Sequence, residues 1–552
     1  MGTWRPRLRH AVAPARRASI RLGRARARPR RRIGQPARRG CDRGRHRVDV
    51  EGRASRATRR HARRAGAHPR RNGRAARVLD LERPLMALDV LLIPLGVALA
   101  CALPIGGLAR PLAVLGGLLS AVTVALATWA GMGGAPADAY VWAGPIGARL
   151  ALGADGSSAA FLVLTGLSFA AGAAASGGMR SPRAYFALWS LLQAAVSGVF
   201  VARDLILFFA CWEALLAPLA LLMWHWGGAD RRAVTLRLLL YWMAGSALLL
   251  TGIVALGVGA RTFAFADLSG YRLAEGSQVT LALLFLAAFT VRLPLFPFHA
   301  WLSRAYVAAP LPVALVLSSV ISKTAVYAIV RICVPFFPRG IADLAPYAIA
   351  IATVGAVYGG LLATRQRDTR ALIAYASLSQ LSFIALGAFI STSDALQGVL
   401  IASVSHGLIV AALFLLAASV ARRVGSFEFG AGGLASRAPV LMSLFVIAVL
   451  ASIGMPGTSG APGELLILAA AFGRSPGIGL LAALVIVVSA VYGLGLIRGI
   501  FFGPSTGRAT DIGWRERALV IPLLVLVIAV GVAPRVVGDL AERPADAPVG
   551  AR

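Results

Sequence analysis

From Met86 onward the chain is a train of apolar runs, each about 20 residues long, the length needed to cross a ~30 Å hydrocarbon layer as a helix. The runs fall near 87–107, 111–130, 157–178, 184–201, 204–226, 234–258, 277–298, 312–334, 344–363, 369–390, 396–420, 439–473, 477–502 and 517–534. They are continuously apolar rather than alternating, which predicts helices and not a barrel. With 58% hydrophobic and 14% charged residues, the chain carries too much apolar surface for a soluble fold. The expected class is all-α, a polytopic membrane protein of about fourteen transmembrane helices.

The charge is unevenly placed. Residues 1–85 hold 28 arginines against five acids, a net +23 out of the chain's +34. That segment has no apolar periodicity and no secretory core, so it reads as a disordered arginine-rich tail. A nucleic-acid-binding arm, a transit segment and an upstream untranslated stretch compete for it. Its Arg, Ala, Gly and Pro bias, and the apolar run that begins directly after Met86, favour translation starting at or near Met86. No nucleic-acid partner is then expected. In the remainder, the loops after odd-numbered runs carry sixteen arginines against ten after even-numbered runs and at the C-terminus. The excess puts the odd loops on the cytoplasmic side of a bacterial inner membrane and both termini outside. An 85-residue cationic tail would have to cross that membrane, a second argument for the later start.

Two runs are interrupted by proline, at Arg292-Leu-Pro-Leu-Phe-Pro-Phe-His-Ala-Trp301 and at Gly454-Met-Pro-Gly-Thr-Ser-Gly-Ala-Pro-Gly463. Proline removes an amide donor and opens the helix, and open backbone at membrane depth survives only beside a polar cavity or inside protein. If the fourth to eighth and ninth to thirteenth runs form two five-helix units, each break falls on the fourth helix of its unit. Matched breaks predict inverted repeats of the transporter kind. The expected division is 86–156 for the first two helices and a loop, 157–340 for a first half-channel repeat, 341–503 for a second, and 504–552 for a last helix and tail.

Lys323 is the only lysine; all 56 other Lys or Arg residues are arginine. It sits mid-run in Ile321-Ser-Lys-Thr-Ala-Val-Tyr327. A buried lysine can shed its proton and arginine cannot, so a site that loads and unloads a proton needs lysine. Glu213, mid-run in Leu207-Phe-Phe-Ala-Cys-Trp-Glu-Ala-Leu-Leu-Ala-Pro218, needs a partner to be tolerated there, and Arg292 at the first break is the candidate. Glu464 follows the second break, where it acts either as a helix-terminal carboxylate or as a proton relay. His406, in Val404-Ser-His-Gly-Leu408, is a titratable link between Lys323 and Glu464. His299 can serve the opened carbonyls of the first break. Tyr375, Ser377, Ser379 and Gln380 give one helix a polar face that either holds water or joins helices. Glu213, Arg292, Lys323, His406 and Glu464 together predict a polar axis at mid-membrane that carries protons. Four scattered cysteines without a C-x-x-C pair, and no phosphate-binding glycine loop, exclude cluster and nucleotide chemistry in this chain.

The stretches Phe208-Phe-Ala-Cys-Trp-Glu-Ala-Leu-Leu-Ala-Pro218, Val291–Leu302, Ser322–Arg331, Leu372–Ser379, Ser405-His-Gly-Leu408 and Gly454–Gly460 with Gly463-Glu464 resemble the antiporter-like, proton-translocating subunits of complex I, the NADH–quinone oxidoreductase, subunit M most closely. The likeness covers roughly 155–534. It implies fourteen helices with inverted repeats, an essential glutamate at Glu213, a central lysine at Lys323 and a broken-helix acid at Glu464. It also implies a translocase subunit with no cofactor of its own: NADH, FMN, iron–sulfur clusters and quinone belong to partner subunits. Partners are then the other membrane-arm subunits, the lipid bilayer and protons. Subunits of multi-subunit cation/proton antiporters and of membrane-bound hydrogenases share these motifs. This chain departs from the family in Arg292, where lysine is usual, in Leu302-Ser-Arg-Ala-Tyr306, and in Gln380, where histidine is common.

Overall fold

The computed structural model describes residues 85–104, 106–130, 140–143, 147–430, 433–503 and 510–541. The arginine-rich segment before Leu85, with the reading of its start and disorder, lies outside the described residues. Helices take up the apolar runs in order. They are α1 (Leu85–Ala102), α2 (Ala109–Trp129), α3 (Gly156–Ala175), α4 (Pro182–Val201), α5 (Leu205–Trp226), α6 (Arg231–Ala260) and α7 (Glu275–Arg292). There follow α8 (Leu311–Phe336), α9 (Pro338–Ala363), α10 (Thr369–Ile390), α11 (Ser393–Val424), α12 in two pieces (Pro439–Ser452 and Gly460–Arg474), α13 (Pro476–Phe501) and α14 (Trp514–Val532). Ten of these are long and apolar enough to cross a membrane. Outside the predicted runs lie short helices at Phe265–Ser269, Leu302–Ala308 and Arg535–Gly538, and a small antiparallel hairpin, β1 (Tyr140–Ala143) with β2 (Ala148–Leu150), between α2 and α3.

Helix starts follow local chemistry. Aspartates 155, 204 and 368 cap α3, α5 and α10 by accepting from backbone amides two or three residues on, and proline opens α4, α9 and α13. One bracket occurs twice. The Leu205 amide donates to the Phe263 carbonyl while the Phe265 amide donates to that of Arg203; Thr369 with Phe427, and Phe429 with Arg367, repeat the pattern. In each case a capping aspartate sits in the bridge, Asp204 opposite Ala264 and Asp368 opposite Glu428.

Burial sorts the helices into a centre and a rim. The apolar window of α11 is wholly buried and that of α8 is 94% buried, against 39% for α2, α5, α6 and α9. The rim helices turn large side chains outward, among them Leu115, Leu126, Leu240, Val354 and Leu361. An outward apolar face is stable against lipid or a neighbouring membrane subunit, as expected of a multi-pass membrane protein. The two central helices carry Lys323 and His406.

Both breaks fall where proline required them, and their freed carbonyls find donors. At the first, the Trp301 indole donates to the Val291 carbonyl at 2.9 Å. His299 does not take the role expected of it: its Nδ1 is buried without a partner and its ring lies against Phe296 and Tyr358. At the second, the Ser405 hydroxyl donates to the Ser459 carbonyl at 2.6 Å and the Gln380 amide to that of Ser452 at 3.4 Å. Gly454 and Gly457 take φ of 74° and 85° there, a region closed to most L-residues.

Close packing of α2 on α3 depends on Gly117 and Gly166, where an added Cβ would strike the backbone of the opposite helix. Gly166→Leu is expected to separate the pair and lower stability by about 1–3 kcal/mol. Thermal unfolding in detergent should register this; an unshifted transition contradicts the assigned packing.

Candidate proton-transfer axis

α8 carries Lys323 between two π-helical segments, Leu317–Ile321 and Ile329–Cys333. Such segments shift side-chain register within a helix and concentrate at functional positions. Lys323 is fully buried. Its Nζ donates to the Ser318 carbonyl at 2.5 Å and lies 2.6 Å from His406 Nδ1, with the Ser322 hydroxyl at 3.4 Å. Among the described residues no carboxylate pairs with it. When Lys323 is an ammonium it can only donate, so His406 Nδ1 then accepts and the ring proton sits on Nε2.

His406 Nε2 is buried without a protein partner, and the His406 side chain helps to line a cavity of about 40 Å³. Glu464, Gln380, Ser377, Ser405 and Tyr492 line the same space. At roughly 10–15 Å³ per water, it has room for two to four waters with polar groups to bind them. Glu464 is the fifth residue of the second piece of α12, beyond the first turn, so a helix-capping role is set aside. Its carboxylate lies against Gly454 in the break, where any Cβ would collide with it. The break therefore makes the space that Glu464 occupies. Ser379 joins helices instead, donating to the Ala356 carbonyl, while Ser377 meets the Ser318 hydroxyl at 3.2 Å.

The first half is arranged differently from expectation. Glu213 is partly buried and accepts a hydrogen bond from the Ser246 hydroxyl of α6. Arg292 makes no ion pair with it. The Arg292 guanidinium donates through both terminal nitrogens to the Trp212 carbonyl at 3.3 Å and lies 3.5 Å and 4.6 Å from the centroids of Trp212 and Trp242. A planar, weakly hydrated cation is stabilised by stacking on indoles, so this site holds arginine without a salt bridge. Arg292 stops one residue short of the glutamate.

Sequence reasoning missed two features. Tyr492 comes from α13, and nothing local marks it as a cavity residue. The other is a buried cluster at the N-terminus of α3, where Asp155 meets Arg203 at 3.4 Å and Arg331 at 3.2 Å and accepts from the Ser158 amide at 2.7 Å. Arg331 lies on α8 two turns beyond Lys323, and Tyr327 between them donates to the Phe200 carbonyl. The lone charges flanking apolar runs were the only available signal.

With this geometry in hand, known proteins can be compared. Residues 202–490 match the sequence profile of the family described as NADH:quinone oxidoreductase/Mrp antiporter, TM. The chain belongs to this family. It is 34% identical over 414 residues to NADH-quinone oxidoreductase subunit M of Rhodobacter capsulatus, covering 72% of this chain and 81% of that one. The protein of the same name from Pseudomonas aeruginosa is 34% identical over 419 residues, covering 72% and 82%. Among solved structures, a chain of respiratory complex I from Thermus thermophilus with bound NADH superposes with a TM-score of 0.77 at 31% identity, covering 83% of this chain and 98% of that one. A chain of the Mrp complex from Dietzia sp. DQ12-45-1b shares the fold, with a TM-score of 0.74 at 22% identity, covering 84% and 96%. The antiporter-like fold expected from the motifs is thus the fold of the family.

Asp155 offers a test by pH. Burial raises its carboxyl, but Arg203, Arg331 and the Ser158 amide outweigh this and hold it below the usual carboxylate value. Its stabilisation is complete above the unfolded value near pH ~4 and is lost as pH falls through the lower folded value. Asp155→Asn is expected to cost on the order of 2–3 kcal/mol at neutral pH, with part-exposed Arg331 keeping it below the full buried-pair penalty. Denaturation of both proteins across pH 3–7 should show the gap closing below about pH 4; a constant gap contradicts the cluster.

Proposed function

We propose that this chain is the proton-translocating, antiporter-like subunit of a bacterial inner-membrane NADH–quinone oxidoreductase, working beside other membrane-arm subunits. In this reading NADH, FMN, the iron–sulfur clusters and quinone are held by those partners, and the chain moves protons only. Residues 157–340 and 341–503 act as two inverted half-channels, a division supported by the repeated aspartate bracket at the starts of α5 and α10.

The observation that carries the reading is the contact of Lys323 Nζ with the Nδ1 of His406, a residue that lines the same cavity as Glu464. A proton passes from Lys323 to Nδ1 while the Nε2 proton leaves into the cavity, and water delivers it to Glu464. Each step moves one proton between adjacent groups and leaves no net charge stranded on imidazole. In the first half, Glu213 exchanges Ser246 for the fixed cation Arg292 when the subunit is driven, and that change of field alters the hold of Lys323 on its proton. Arg292 serves as a counter-ion and not as a carrier, because arginine keeps its proton.

The family description also includes Mrp antiporters, and the Dietzia chain has the same fold, so a cation/proton antiporter subunit is the alternative. Co-purifying subunits separate the two readings: NADH-dehydrogenase subunits favour the first, antiporter subunits the second.

Lys323→Met is expected to abolish redox-driven proton pumping in proteoliposomes while the complex still assembles. Lys323→Arg should fail equally, because it restores charge without proton release. Normal pumping by either variant would remove Lys323 from the mechanism.

A further inference from the structure

A second built feature lies away from the polar axis. α2 and α14 flank a furrow whose floor is formed by α3 and α11. Near the arginine-rich ends of these helices it holds a pocket of about 180 Å³. Arg110 of α2, Arg422 of α11 and Arg515 of α14 line it, together with Glu516. Towards the other end the same four helices and the segment after α14 border about 550 Å³ of mostly apolar space, lined by Val163, Leu167, Leu408 and Leu526, with Arg535 and Asp539 from that segment.

The charges in the basic pocket do not cancel. Glu516 is shared by Arg422 and Arg423, the latter at 2.7 Å. Arg110 donates to the Ala174 carbonyl, and Arg515 lies 5.5 Å from the centroid of Trp514; neither has an acidic partner among the described residues. Trp514 is 74% exposed at this end of the furrow and Trp129 87% exposed at the other, the positions of interfacial indoles. The excess of arginine in the odd loops puts the basic end on the cytoplasmic side. A site with cations at headgroup depth, an aromatic belt and an apolar trough below matches one occupant on both counts. A neighbouring protein helix would need acidic side chains at the depth of the arginines.

We propose that the furrow between α2 and α14 binds an anionic phospholipid of the cytoplasmic leaflet, its phosphate held by Arg110, Arg422 and Arg515 and an acyl chain lying along α3 and α11. Basic pockets between transmembrane helices on this side recognise phosphate headgroups through the same chemistry.

The test uses the full chain within its native membrane complex, purified in detergent, reconstituted with mixed phosphatidylglycerol and phosphatidylcholine, and washed before lipid mass spectrometry. The native complex is expected to retain phosphatidylglycerol selectively. The double variant Arg110→Gln/Arg515→Gln should lose roughly fivefold in preference for each arginine, about 25-fold together. Arg110→Lys/Arg515→Lys should keep most of it. Both leave the Glu516 ion pairs intact, so subunit recovery should match the native complex, and lysine rescue separates a headgroup site from a folding defect. Inorganic phosphate at millimolar concentration should not displace the lipid. Equal phosphatidylglycerol retention by the native and glutamine complexes overturns the proposal. So does displacement by inorganic phosphate alone, or near-complete cross-linking of the Leu519→Cys variant to a neighbouring subunit in native membranes.

Discussion

Everything in this structure turns on holding ionisable groups inside hydrocarbon. A charge there has no water to solvate it and must find polar atoms in the protein or be released. Lys323 meets a carbonyl, a hydroxyl and an imidazole, and none of these cancels its charge. Arg292 is held by one carbonyl and two indole faces. These are opposite solutions to one cost. The first environment suits a group that gives up its proton to a neighbour, and the second suits a cation that never does.

The helix breaks follow from the same constraint. A continuous α12 would leave no room for the Glu464 carboxylate beside Gly454, and no open backbone for Ser405 and Gln380 to bond. The interruption borders a small, mostly apolar cavity into which a few polar side chains converge, and His406 lines that cavity beside Glu464. The cavity is large enough for a few waters and too small for an organic substrate, which fits proton movement through bound water. The central position of α8 and α11 keeps both titratable groups away from lipid, while the rim helices carry the apolar contact with the membrane.

Much of the site was legible in the chain because single residues stood against a strong background. One lysine among arginines, one glutamate in an apolar run and two proline breaks each violate a rule that the surrounding sequence obeys. That Arg292 would not pair with Glu213 was not legible. Contact depends on which way each side chain leaves its helix, and indole stacking competes with the ion pair. Tyr492 and the Asp155 cluster were invisible for a related reason: they gain meaning only from neighbours far away in the chain.

By itself the sequence determined that these runs cross a membrane as helices, where two of them must open, and that the chain carries a single lysine. Hydropathy, proline chemistry and the properties of lysine are local and survive without a fold. Only the tertiary structure decided that Lys323 meets His406, that Glu464 shares a cavity with that histidine, and that Arg292 prefers two tryptophans to Glu213. Those outcomes depend on helix rotation and on a π-helical shift in register, and a difference of about 100° between successive helical positions sends a side chain to another face.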